Sequence, residues 1–148
     1  MARGGDDDAQ GGAPDEPTFF VDRSLGRSDV PAALRGAGAR VEIHDDHFPQ
    51  DAPDVSWLAE AGTRGWLVLT KDRRIQRHPL ELNALSAAGV GAFILTSANL
   101  SGAQMTAALV KALPRMIALA ARCGRPFVAT VSRSGDVSLK ESAKGRRR

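Results

Sequence analysis

Four short runs of strand-forming residues most constrain how this chain can fold. They are "TFFVD" at 18–22, "ARVEIH" at 39–44, "WLVLT" at 66–70 and "GAFILT" at 91–96. Each is followed not by a tight turn but by a stretch carrying helix signals. After the first, "SDVPAALRGAG" offers Ser28 or Asp29 as a cap, Pro31 in the first turn and Gly36 or Gly38 as a stop. After the second, Pro49 and Pro53 keep "DDHFPQDAP" a loop, and a helix begins near Asp54, with Trp57, Leu58 and Ala61 at helical spacing and Gly62 or Gly65 to end it. A further helix falls within 79–88. The longest follows Ser101 and Gln104, a capping-box pair, with Met105, Leu109, Ala112, Met116 and Ala120 close to one stripe and Pro114 expected to kink it. "PFVATVS", the turn "RSGD" and "VSL" read as a terminal strand or hairpin, with Gly135 in the turn. Strands that alternate with helices give a three-layer α/β/α sandwich with a mainly parallel central sheet.

The chain's 148 residues suit one such domain, and 43% hydrophobic with 25% charged residues excludes collagen, a disulfide scaffold and wholesale disorder. Its single thiol, Cys123, rules out an intramolecular disulfide and fits a reducing compartment, so the expected location is the cytoplasm. No stretch approaches the roughly 18 apolar residues of a membrane helix, and no signal-peptide pattern opens the chain. The net charge of +3 is polarised, from −4 over residues 1–17 to +4 over residues 132–148. The expected organisation is a disordered acidic tail at 1–17, a folded domain at 18–139 and a basic tail at 140–148, the last suited to a polyanion or simply solvated.

In a parallel sheet the strands' carboxyl ends share one edge, where loops build the site. Acids recur there. Asp22 follows the first strand, Asp45 and Asp46 the second, Asp54 opens the next helix, and Asp72 follows the third strand. Carboxylates brought together repel unless a cation compensates. Oxygen ligands suit Mg²⁺ or Mn²⁺, which bridge to phosphate oxygens and activate water, so phosphodiester hydrolysis is the chemistry such a cluster points to. Each acid also has an ordinary explanation: Asp54 as a helix cap, Asp72 as the cap of a short turn, Asp22 in a surface salt bridge, Asp45 and Asp46 in a solvated loop.

Other chemistries are poorly supported. "HDDH" at 44–47 resembles a zinc cluster, but strand alternation sends His44 and Asp45 to opposite faces and no further ligand pair completes a tetrahedral set. No Walker-type or dinucleotide-type glycine loop is present, and His44, His47 and His78 form no evident serine-hydrolase triad.

"FFVDRSLG", "HDDHFPQDAPD" and "GWLVLTKDRRI", in that order, resemble the PIN-like nuclease superfamily, especially its VapC-type toxin branch, over roughly Thr18 to Val131. That resemblance implies a metal-dependent nuclease, commonly an endoribonuclease toxin restrained by an antitoxin protein. It implies Asp22, Asp54 and Asp72 as catalytic metal ligands, with Asp46 as a candidate fourth acid ahead of Asp45. The family often places a Glu on a helix, and Glu60 is available. It lies six residues after Asp54, about 600° around an ideal helix, so the two do not point into one cleft.

Arg23, Lys71 and Arg73 stand beside these acids and suit phosphate contacts, or else balance the neighbouring charge. Tyr is absent and both Trp residues sit at apolar positions, so no base-stacking platform is evident. The partners expected are an RNA substrate and an antitoxin, with a homodimer as a further option and no membrane. The alternatives are a DNA nuclease and a noncatalytic partner-binding module, either PIN-like or receiver-like. A receiver usually carries its acidic pair after the first strand, whereas Asp45 and Asp46 follow the second.

Overall fold

The structure, a computed structural model, describes residues 17–97 and 99–142, without the side chains of Asp54, Gln76 and Ser142. Most of both tails, residues 1–16 and 143–148, therefore lies outside the described residues. The described chain runs β1 (Thr18–Val21), α1 (Asp29–Gly36), β2 (Arg40–Ile43), α2 (Asp54–Arg64), β3 (Leu67–Thr70), α3 (Arg74–Arg77), α4 (Pro79–Ala88), β4 (Gly91–Leu95), α5 (Gly102–Arg122), β5 (Phe127–Val131) and β6 (Val137–Ser142). Short 3-10 turns at Arg23–Leu25 and His44–Asp46 follow β1 and β2.

The strands form one sheet in the order β2-β1-β3-β4-β5-β6. The first five are parallel and β6 is antiparallel to β5. Because successive strand residues point to opposite faces, each buried strand feeds two cores. Phe19, Val21, Leu67, Leu69, Phe93 and Leu95 pack with Leu34 of α1 and Leu109, Ala112 and Met116 of α5. Phe20, Val68, Ala92 and Ile94 pack with Trp57 and Leu58 of α2, Ile75 of α3 and Leu85 of α4. Helices thus cover both faces, giving the α/β/α sandwich.

Local signals explain the helix ends. Ser101 caps α5 through a reciprocal box: its side chain accepts from the Gln104 N–H at 3.1 Å, and the Gln104 side chain accepts from the Ser101 N–H at 2.8 Å. Gly65 closes α2 and Gly89 closes α4 in the left-handed conformation. α5 continues through Pro114 as one helix, with Pro114 on the exposed side. Two details differ from the sequence reading. The residues after Asp72 form the short helix α3, and β6 continues past 139 to Ser142. The polar "KES" reads as tail, yet on an edge strand it needs only main-chain pairing, which Phe127 and Val128 supply opposite Ser142 and Glu141. No helix among the described residues is long and apolar enough to cross a membrane.

The strand order sets the site. β1 lies between β2 and β3, so the chain leaves it to one side through α1 and then crosses it through α2. The crevice of such a switch lies beyond the carboxyl ends of the two strands that flank it, here β1 and β3. The face holding α2 and α4 depends on one close approach. A Cβ on Gly62 would stand 2.2 Å from the Ala88 carbonyl oxygen and 2.7 Å from the Ala88 Cβ. Gly→Ala inside a helix ordinarily gains about 1 kcal/mol. Here Gly62→Ala is expected to cost about 1–3 kcal/mol, because backbone must move. Urea denaturation checks this, and a gain in stability would contradict the packing of α2 on α4.

Candidate active site

Parallel pairing places Val21 of β1 opposite Leu69 of β3, so the residues that follow, Asp22 and Thr70, arrive side by side. The Asp22 N–H still reaches the Leu69 carbonyl at 3.0 Å. Asp22 is 6% exposed and Thr70 1%, and both are polar groups at the rim of an apolar core. The Asp22 Oδ2 accepts from the Thr70 hydroxyl at 2.8 Å, the Ser24 hydroxyl at 2.8 Å and, at 3.4 Å, the Ser24 N–H. The two hydroxyls lie 3.1 Å apart. The Lys71 N–H donates to Ser24 Oγ at 3.1 Å, and the Asp72 N–H donates to Thr70 Oγ1 at 3.0 Å. One buried carboxylate oxygen thereby organises the turn after β1 and the turn after β3.

Asp72 reaches this network through its backbone only. Its side chain accepts from the Arg74 N–H at 3.0 Å and from the Arg74 guanidinium at 2.8–3.2 Å. The guanidinium bonds, helped by the Arg74 N–H and opposed by partial burial, hold the Asp72 carboxyl below the usual carboxylate range. A depressed folded value means that the pair's contribution to stability is present at neutral pH and lost as pH falls through that value. Asp72 thus starts a short turn and pairs with a cation in the same stroke.

The other expected residues are dispersed. Asp54 is the first residue of α2, and its side chain lies outside the described residues. Asp46 is exposed at the end of the 3-10 turn after β2, and Asp45 pairs with Arg27 at 3.1 Å. Glu60 pairs with Arg64 along α2. Arg23 and Lys71 are exposed, whereas the Arg73 guanidinium donates to the Thr96 carbonyl and ties the end of β3 to the end of β4. Among the described residues no three His, Cys, Asp or Glu side chains gather as a metal cluster.

A cation nevertheless fits Asp22. Its described hydrogen-bond donors are two hydroxyls and an amide, all neutral, and no described Lys or Arg pairs with it. A carboxylate that is nine-tenths buried without a counter-ion is costly, by several kcal/mol. All three bonds end on Oδ2, which leaves Oδ1 available to a hard cation.

A family model described as "PIN like domain" matches residues 17–97, the segment from β1 to the end of β4 that contains this crevice. The chain belongs to the PIN-like domain family. It is also 35% identical over 117 residues, 76% of this chain and 84% of the relative, to a Mycobacterium tuberculosis protein named "Putative ribonuclease VapC45". That likeness puts it in the VapC-type branch of the family. No solved structure matches the chain.

Three groups at the site escaped the sequence reading. Thr70 and Ser24 are ordinary polar residues until tertiary register sets them against Asp22, and the only local hint is their place beside an acid at a strand end. Arg74 was legible as an i+2 cation on Asp72 but was not singled out. If Thr70 is a structural partner of Asp22, Thr70→Val should cost about 1–3 kcal/mol, because it strands the Asp72 N–H and removes a donor from a buried carboxylate. Thr70→Ser should restore most of that in thermal and urea melts. Equal stability of the Val and Ser variants would remove Thr70 from the network.

Proposed function

We propose that this chain is a metal-dependent endoribonuclease that hydrolyses RNA phosphodiester bonds, and that it is the toxin of a toxin–antitoxin pair. The observation that carries the reading is the buried Asp22, held by neutral groups at the switch crevice with one oxygen left over. Membership of the PIN-like family and the ribonuclease name of the relative support the same reaction. Divalent-metal use is general in this family. Mg²⁺ or Mn²⁺ suits the all-oxygen donors best.

In this reading Asp22, Asp54 and Asp72 are the catalytic metal ligands and Asp46 is a candidate fourth. When bound, a divalent cation eases the loss of a proton from an attacking water and offsets charge on the phosphate oxygens. The chain's own groups do the rest. Ser24 and Thr70 fix the Asp22 carboxylate, so its free oxygen needs no reorganisation to bind. Arg23 and Lys71, exposed on the turns after β1 and β3, draw the phosphate backbone to the crevice without reading sequence. Arg73 holds the ends of β3 and β4 together and lends its charge to the same rim. An antitoxin protein restrains the activity, and the working compartment is the reducing cytoplasm. A homodimer would place two such crevices in one particle.

One observation favours a second reading, a noncatalytic partner-binding module: Arg74 already balances the Asp72 charge. The two readings part in a cleavage assay. Wild-type protein should cut single-stranded RNA only with Mg²⁺ or Mn²⁺, and Asp22→Asn at equal folded concentration should lose at least about a hundredfold in rate. Matched DNA should be cut far more slowly. Unchanged metal-dependent cleavage by Asp22→Asn would overturn the assignment, and no cleavage with no metal binding would favour the partner module.

A further inference from the structure

Beside the switch crevice, at the ends of β1 and β2, lies a cavity of about 300 Å³ whose walls include Val21, Ile43, Arg23, Arg27, Asp45 and Gln50. We propose that it is the subsite for one nucleobase of the RNA strand, next to the bond that is cut, with the flanking phosphates on Arg23 and Arg27. The inference rests on the ribonuclease reading and adds to it a source of base preference.

Position is the first argument. Val21 and Arg23 both line the cavity, and they flank Asp22 in the chain. A strand whose phosphate sits at Asp22 therefore has its neighbouring nucleotide over this opening. Size is the second, since 300 Å³ is at the small end of ligand pockets, about 300–1,000 Å³, and suits one planar ring system.

Chemistry is the third argument. Ile43, half-buried at the end of β2, gives apolar wall for one face of a base. The Gln50 amide offers both a donor and acceptors to its edge. Asp45 adds a carboxylate that is already oriented, because its Oδ2 accepts from Arg27 at 3.1 Å. Its Oδ1 stands 3.9 Å from the His44 Nδ1, too far for a hydrogen bond, and so can still accept from a ring N–H or amino group. Arg27 is 71% exposed at the side chain and Arg23 is exposed on its turn, so both guanidinium groups can reach outward to phosphates while Arg27 keeps Asp45 in place. A bare anion would meet the Asp45 carboxylate, and an apolar side chain would leave Gln50 and Asp45 without partners. A base with a phosphate on either side satisfies both halves. Recognition here works through base edges, which is why no aromatic platform is needed.

The test is sequencing of the ends produced by the full-length protein from a randomised single-stranded RNA library, with wild type, Gln50→Ala and Asp45→Asn, and with Arg122→Gln on the far side of the molecule as control. Wild type should show a base preference at one position beside the cut. Gln50→Ala and Asp45→Asn should each flatten it by about tenfold, the worth of one hydrogen bond, with melting curves close to wild type. An identical preference in all four folded proteins would overturn the subsite while leaving the ribonuclease reading intact. If wild type cuts no RNA, the ribonuclease reading fails, and titration of Asp22→Asn with the four nucleoside monophosphates decides the cavity alone. Shifts of the Gln50 amide and Arg27 guanidinium NMR signals would uphold it, and their absence would overturn it.

Discussion

The main-chain hydrogen bond from Asp22 to Leu69 carries the pairing of β1 with β3 one residue beyond the last strand residue, and the rest of the site depends on it. It delivers a carboxylate to the boundary between an apolar core and the loop edge. Asp22 is there because Phe19, Phe20 and Val21, all fully buried, leave the strand no freedom to slip. A shift by one residue would turn those side chains to the wrong faces. Register, enforced by hydrophobic burial on both faces, thus becomes the positioning force for a polar group.

Two charges at this edge are treated differently. Among the described residues Asp22 has neutral partners only, whereas Asp72 is paired with Arg74. The Arg74 pair is short in sequence and more exposed, so it is worth little to stability and can exchange. The Asp22 arrangement is buried and preorganised by Thr70, itself 1% exposed. The consequence is an edge with one acid fixed by neutral groups and one paired with a neighbouring cation, flanked by exposed Arg23 and Lys71 on the turns after β1 and β3.

Much of this was legible in the sequence because the signals are local. Strand runs, helix caps and the glycines after α2 and α4 lie within a few residues of what they determine. Asp22 could be singled out because an acid directly after a buried strand is expensive unless it has a purpose. The position of Asp72 was equally legible, but not the direction of its side chain, which Arg74 decides at a range of two residues. Thr70 and Ser24 meet across 46 residues of chain, and the pairing of Arg27 with Asp45 spans 18. Such contacts follow only from register. The end of β6 was misplaced for a related reason: edge pairing is a main-chain property, and "KES" carries no hydrophobic trace of it.

Titration of Mn²⁺ by electron paramagnetic resonance tests the central claim, that the buried Asp22 is one half of a cation site, independently of any substrate. The account predicts that wild-type protein binds Mn²⁺ and that Asp22→Asn, folded to the same extent, binds it at least about tenfold more weakly. Equal binding by the two proteins would contradict it.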